Sequence, residues 1–169
     1  LYVEGSSDSY GNATISKTLT IIGPGYFLDE NEDTQANIQT AKTGTVTVNN
    51  GAQETEITGM QITQLAINTS DILIRRNLII NTTVTWGMTV NISNTENVLL
   101  TQNYIYNYPN HNTVYTGVTI TGSSFITLLN NFIRGRNDSS VKIESSTSCV
   151  VKNNVIYVGI TSTGQQFIN

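Results

Sequence analysis

The sequence repeats one short pattern, and this repetition limits the chain to a small number of folds. In each copy, an apolar triplet leads to a second apolar stretch, and an Asn then precedes a third. The last Ile of the triplet recurs at intervals of 25, 28 and 23 residues, as Ile67, Ile92, Ile120 and Ile143. Repeats of this length predict a solenoid, a stack in which each copy adds one turn of chain, called a rung.

Apolar residues recur at fixed places in the copies, and their alternation with polar neighbours predicts strands with one face inward. The predicted inward columns are Leu65, Val90, Val118 and Val141; Ile67, Ile92, Ile120 and Ile143; Ile72, Val98, Ile126 and Cys149; Ile74, Leu100, Leu128 and Val151; and Ile79, Ile105, Ile133 and Ile156. The residues between the first two columns should face outward, and they are Ala66, Asn91, Thr119 and Lys142. Residues 19–22 and 26–28 are expected to form further strands around a turn.

Composition favours strands and excludes several classes of protein. Thr, Ser and Asn are abundant, and strong helix formers are few, so we expect almost no helix. A net charge of −4 with 12% charged residues offers no basic surface for nucleic acid, and no apolar run is long enough to insert in a membrane. The single Cys149 excludes an internal disulfide and is expected to be buried.

One Asn occupies the same place in four repeats, at the bend before the third strand. These residues are Asn77, Asn103, Asn131 and Asn154. Asn tolerates left-handed backbone conformation, and its amide can bond the equivalent amide one rung away, at about 4.8 Å. The pattern predicts a structural Asn ladder; the alternative is that Asn is simply common in the turns of this chain.

Together, the spacing, the inward columns and the recurring Asn resemble the right-handed parallel β-helix, the pectate-lyase-like fold. The resemblance implies an all-β solenoid of about six rungs and a single domain over residues 1–169. Because the sequence starts at Leu1 and stops at Asn169 within another repeat, we expect it to be a fragment of a longer solenoid. Residues 1–5 and 19–26, LYVEG and LTIIGPGY, resemble the starts of β-helix domains in Bacteroidetes-type bacterial proteins. This second likeness implies a secreted or cell-surface location.

Enzymes of this fold carry motifs that the chain lacks. Lyases present clustered Asp ligands for calcium with an Arg or Lys base, and hydrolases present paired carboxylates with a Gly-His-Gly signature. The only His, His111, is expected in a solvated loop. The acidic run at residues 29–33 lacks the spacing of a calcium loop, although calcium binding there stays open. We therefore predict no catalytic residue, metal site or cofactor.

The best candidate for binding is the outward column that contains Tyr106, Arg134 and Tyr157. Aromatic faces and a planar guanidinium are groups against which sugar rings stack, so this column predicts weak binding of polysaccharide. Packing of surface aromatics across rungs is the alternative. The other basic residues of the repeats are expected to be solvated charges, with contact to an anionic sugar as the alternative, and they are Arg75, Arg76, Arg136 and Lys152.

Two functions follow from these patterns. The favoured one is a non-catalytic secreted or cell-surface module that supports adhesion or weak glycan binding. The alternative is a fragment of a polysaccharide lyase or glycoside hydrolase whose catalytic rungs are absent. Self-association of copies, end to end or side by side, also stays open.

Overall fold

The computed structural model describes residues 1–30, 37–81, 87–107, 116–135 and 139–163, and the backbone of Phe167–Ile168. Nearly all of the regular structure in these residues is strand, and the one helical element is a 3-10 turn at Leu28–Glu30. The strands are β1 (Ala13–Ile15), β2 (Thr20–Ile22), β3 (Ala41–Val48), β4 (Glu56–Thr58), β5 (Met60–Ile67), β6 (Ile72–Arg75), β7 (Leu78–Asn81), β8 (Val90–Ser93), β9 (Glu96–Thr101), β10 (Tyr104–Asn107), β11 (Val118–Thr121), β12 (Ser124–Leu129), β13 (Phe132–Arg134), β14 (Val141–Glu144), β15 (Cys149–Lys152), β16 (Val155–Ile156), β17 (Ile160–Thr163) and β18 (Phe167–Ile168).

The strands form two sheets, and the pairings between the described strands are parallel. The first sheet runs β16-β13-β10-β7-β5-β8-β11-β14-β17, with β3 added on β5 and β1 on β3. The second runs β18-β15-β12-β9-β6-β4-β2. From β7 onward each strand pairs with the strand three places later, because successive repeats lie side by side. The sheets wrap almost closed around one apolar core, an arrangement compatible with a parallel β-helix.

Strand registers and burial confirm the predicted inward columns. Ile67, Ile92, Ile120 and Ile143 are paired in register, and each is 0% exposed. The other columns are paired or aligned in the same way, and only Val151 and Ile156 are partly exposed. Full burial of such a side chain contributes roughly 1.5–3 kcal/mol, so these columns supply most of the driving force for folding.

Strand β5 links the two strand groups of the first sheet. Gln61 and Ile62 pair with β7, whereas residues 65–67 pair with β8. In later repeats the same corner holds a connection, at residues 82–89, 108–117 and 135–140. We call it the loop corner. His111 and Arg136 lie in these connections, outside the described residues.

The structure corrects two expectations. Residues 26–28 do not form a strand: Phe27 has a positive φ of 56°, and a 3-10 turn begins at Leu28. The reason is that this segment lies across the outside of the sheet, where Phe27 contacts Tyr104. Thr119 occupies an outward position but is only 5% exposed, unlike the half-buried Ala66, Asn91 and Lys142 of its column.

Candidate functional site

An aromatic surface covers the outer side of β7, β10, β13 and β16. The inward residues of these strands are the Ile column, so the residues on either side of each Ile face outward. Those outward residues form two rows: Leu78, Tyr104, Phe132 and Val155; and Ile80, Tyr106 and Arg134, with Tyr157 directly after β16. We call this surface the aromatic face.

Arg134 lies between two tyrosines on this face, so the structure brings the three predicted binding residues together. Its guanidinium carbon is 5.1 Å from the ring centroid of Tyr106 and 4.5 Å from that of Tyr157. Each such cation–π contact contributes about 0.5–1 kcal/mol at an exposed site. Arg134 is half-buried and Tyr157 is 67% exposed, so the group is accessible from solvent.

The aromatic face contains further rings that sequence reasoning missed. Tyr104 and Phe132 stack with centroids 4.6 Å apart and planes 9° apart. Phe27 meets Tyr104 edge-on at 5.5 Å, and Tyr26 meets Phe27 edge-on at 5.0 Å. The signal for Tyr104 and Phe132 was present, because they occupy the outward position on the other side of the Ile column. No local pattern indicated the contact of Phe27.

The way in which these rings are arranged decides what a ligand would touch. Side chains stand roughly perpendicular to a sheet, and here the rings of Tyr104 and Phe132 face each other along the stack. The guanidinium of Arg134 likewise covers a face of both Tyr106 and Tyr157. A ligand lying across the sheet would therefore meet ring edges, phenol hydroxyls and guanidinium N–H groups. This geometry favours edge and hydrogen-bond contacts over stacking of sugars on ring faces.

The two ion pairs among the described residues lie away from this face. Arg75, which was expected to be a solvated charge, pairs with Glu56 on the second sheet at 2.6 Å, and its side chain is 43% exposed. Lys142 pairs with Glu144 of its own strand at 2.9 Å. No carboxylate of the described ranges lies within ion-pair distance of Arg134.

A second basic residue, Arg76, borders a concavity beside Tyr26. This space of about 400 Å³ is lined by Ile22, Gly23, Pro24, Gly25, Tyr26, Thr58, Gly59 and Arg76. Arg76 is exposed, and its Nε donates to Oε1 of Gln102 at 3.0 Å. Burial raises the pKa of the Tyr26 phenol, and the nearby Arg76 cation partly opposes this shift. The phenol therefore stays protonated at neutral pH, and it donates to the carbonyl of Gln102 at 3.3 Å.

The four ladder asparagines form a continuous row of hydrogen bonds between the second sheet and the aromatic face. Each side-chain oxygen from Asn103 onward accepts from the backbone N–H and Nδ2 of the preceding Asn, at 2.8–3.2 Å. Asn77 accepts from the N–H of Met60 at 3.0 Å. Asn77, Asn103 and Asn131 are at most 2% exposed, and Asn154 is half-buried. This row holds the strands of the aromatic face at a constant spacing.

The propensity of Asn for left-handed backbone predicted that the ladder Asn itself would have a positive φ. In the structure, the residue before each ladder Asn has the positive φ instead. Arg76, Gln102, Asn130 and Asn153 have φ between 51° and 57°. The ladder residue itself belongs to the following extended segment, so its side chain points inward and reaches its neighbour. Asn is therefore selected at this place for its amide rather than for its backbone freedom.

A second polar row, which sequence reasoning missed, lies at the bend that enters the second sheet. Ser70 and Thr95 share a hydroxyl contact of 3.2 Å, and the N–H groups of Thr95 and Ser123 donate to the next hydroxyl, at 3.3 and 3.1 Å. The row ends at Ser146, whose Oγ donates to the carbonyl of Glu144 at 2.7 Å. Because Ser and Thr are common throughout this chain, their recurrence at this bend could not be recognised in the sequence.

Among the described residues, several carboxylates lie in neighbouring repeats near the bend that enters the second sheet. Asp71, Glu96 and Glu144 lie near the starts or ends of strands in different repeats, and Asp71 accepts from Nδ2 of Asn97 at 3.1 Å. The described residues contain no cluster of three or more His, Cys, Asp or Glu that could hold a metal ion. Asp29 and Glu30 are exposed, whereas residues 31–33 of the acidic run lie outside the described residues.

A larger cavity of about 550 Å³ opens beside β1. Its wall is mostly apolar, with Glu4 and Thr43 also lining it, and Val46, Ile57 and Ile62 belong to the core. It is therefore an opening into the core. Among the described residues, no helix is long and apolar enough to span a membrane.

No protein-family model, curated protein or solved structure matches the chain.

Proposed function

We propose that the chain folds as a single right-handed parallel β-helix of about six rungs, similar to pectate-lyase-like domains. The support is the parallel pairing of strands three places apart, which requires crossover connections of one hand. Crossover connections between parallel strands of one sheet are right-handed in about 98% of cases. Regular stacking of short strands also explains how so narrow a core contains long columns of Ile and Val.

We propose further that the domain is a non-catalytic, secreted or cell-surface module that binds glycan weakly through the aromatic face. The observation that carries this proposal is the guanidinium of Arg134 held between Tyr106 and Tyr157 on an accessible sheet surface. Phenol hydroxyls and guanidinium N–H groups match the hydroxyl-rich surface of a sugar. The location rests on the likeness of residues 1–5 and 19–26 to surface proteins.

Weak binding is expected because the face is open. Tight sites for small ligands are concave and cover most of the ligand, whereas a sheet surface contacts it from one side.

The stacked side chains are already ordered by one another, so binding orders little that was mobile before. A glycan polymer that contacts several repeats at once therefore suits this surface better than a free monosaccharide.

A glycan array, followed by titration of any ligand found, tests the proposal. The triple variant Tyr106→Ala, Arg134→Ala, Tyr157→Ala should lose binding while keeping the circular dichroism of the parent. Phe125→Ala removes another exposed aromatic ring, on the second sheet, and should leave binding unchanged. Unchanged binding by the triple variant would place the site elsewhere. Absence of any glycan ligand would remove the proposed function.

A further inference from the structure

We propose that the aromatic face is one end of a longer track with a second cationic anchor at Arg76, and that its ligand is a linear acidic polysaccharide. This inference rests on the proposed glycan binding and names the class of glycan. The acidic group is a carboxylate or a sulfate, since both offer oxygens to which a guanidinium can donate two hydrogen bonds.

Ring contacts connect the two anchors without a break. Tyr26 borders the concavity that contains Arg76 and meets Phe27 at 5.0 Å. Phe27 meets Tyr104 at 5.5 Å, and Tyr104 lies 6.3 Å from Tyr106. Tyr106 is then covered by Arg134. A chain of sugars following this path would stay on aromatic and phenolic surface throughout its length.

Both anchors are cations that lack a carboxylate partner within the described ranges, although the protein carries a net charge of −4. The basic residues that have such a partner, Arg75 and Lys142, lie outside the track. The guanidinium carbon of Arg134 lies over the rings of Tyr106 and Tyr157, and the N–H groups at the edge of the guanidinium are its hydrogen-bond donors. An acidic group approaching from solvent can accept two N–H bonds from that edge, and such charged bonds are about twice as strong as neutral ones.

The distance between the anchors sets the length of the ligand. Arg76 lies two residues before β7, and Arg134 ends β13, two strands further along the sheet. Two strand spacings and about four residues of chain, which include the bend before β7, place their Cα atoms at most roughly 16 Å apart. One monosaccharide or disaccharide cannot contact both, so affinity should rise when the oligomer becomes long enough to bridge them.

The test compares uronic-acid oligosaccharides of two and eight residues, sulfated oligosaccharides, and neutral oligosaccharides of equal length, by calorimetry at low salt. Acidic octamers should bind best, and added salt should weaken them by screening. Arg134→Gln should weaken both acidic lengths, and Arg76→Gln should weaken only the octamer, each by about tenfold or more. Gln is compatible with the backbone at 76, because Gln102 occupies the equivalent position with φ 57°. Arg75→Gln is the matched control and should leave binding unchanged.

The outcomes separate this inference from the proposed function. Neutral octamers that bind as tightly as acidic ones would overturn the acidic preference and leave glycan binding intact. If Arg76→Gln behaves like Arg75→Gln, the second anchor is wrong. If no oligosaccharide of any charge or length binds, the proposed function fails with it. Preference for sulfated over uronic-acid chains, or the reverse, identifies which acidic group the track takes.

Discussion

Left-handed backbone at the corners is the main conformational cost of this chain at the level of single residues. Twelve described residues other than Gly have positive φ, and most of them lie at bends between strands. Five of the twelve are Asn or Asp, for which the left-handed region is least unfavourable, and five more are other polar residues. The two aromatic exceptions are Phe27, which packs on Tyr104, and Phe125, which has φ 54° and is 58% exposed.

Phe125→Asn should therefore stabilise the protein by about 1 kcal/mol, since Asn tolerates this conformation and little buried surface is lost. Asn97 occupies the same position one repeat earlier, with φ 55°. The free energy of unfolding, from urea titration, is the measurement. Phe125→Ala is the control, because it also removes the ring but places at 125 a residue that does not favour left-handed backbone. Equal stability of the two variants would show that backbone strain at 125 is negligible.

Cys149 links burial to pH. The residue is 1% exposed, as its place in an inward column predicted, and burial raises the pKa of its thiol. The folded thiol therefore holds its proton at a pH where the unfolded thiol has begun to lose it, so stability falls as pH rises above the unfolded pKa. We expect native protein to resist alkylation by iodoacetamide at a pH of about 8 and to react quickly in urea. Fast labelling of the native protein, measured by mass spectrometry, would contradict the buried position.

Hydrogen-bonded rows define the bends between strands, and the Asn row should be the more sensitive. Asn131→Ala would leave the N–H of Asn103 and the carbonyl of Leu100 without their partner in a buried place. We expect a loss of about 3 kcal/mol, at the upper end for unsatisfied buried groups. Asn154→Ala, at the half-buried end of the row, should cost less. Thermal or urea unfolding of both variants gives the comparison, and equal small losses would argue against a cooperative ladder.

The Ile column behind the aromatic face allows a direct test of the core. Ile133 is 0% exposed and is paired in register with Ile105 and Ile156. Ile133→Asp should cost more than about 3 kcal/mol, because it places an unpaired carboxylate in an apolar column. Val155 lies on the outward side of the adjacent strand and is 61% exposed, so Val155→Asp should change the free energy of unfolding very little. A variant at 133 that melts like the parent would refute the column assignment.

Periodic features of the strands could be predicted from the sequence, and long-range features could not. The inward columns were visible because Ile and Val recur at every second position, and the Asn row because one residue type recurs at one place. The hydroxyl row mixes Ser70, Thr95 and Ser123 and so gives no single-residue signal. The contact of Phe27 with Tyr104 joins segments far apart in the chain and depends on how residues 26–28 cross the sheet. That contact, and with it the track to Arg76, required the structure.

At the scale of the whole molecule, the prediction of no catalytic activity depends on where the carboxylates lie. Hydrolysis of a glycoside needs two carboxyl groups roughly 5–9.5 Å apart at one sugar, and elimination needs a base at the same place. Asp71 and Glu96 lie in adjacent repeats of the second sheet and Glu144 ends β14, so none of these three carboxylates lies on the aromatic face where glycan binding is proposed. We expect no turnover of pectate, alginate or other uronic-acid polymers, with or without calcium. Release of unsaturated or reducing sugar in a colorimetric assay would support the alternative of an enzyme fragment.

In each repeat, the connection before the third strand has a constant length, whereas the connection after it varies in length. The last inward residue of each second-sheet strand lies five positions before the inward Ile of the third strand, as Ile74 does before Ile79 and Leu128 before Ile133. At the loop corner, the connections vary from 6 to 10 residues while the registers on both sides stay the same. These connections begin directly after the strands of the aromatic face. New segments can therefore evolve, or be grafted, at this corner while the strands on both sides keep their registers.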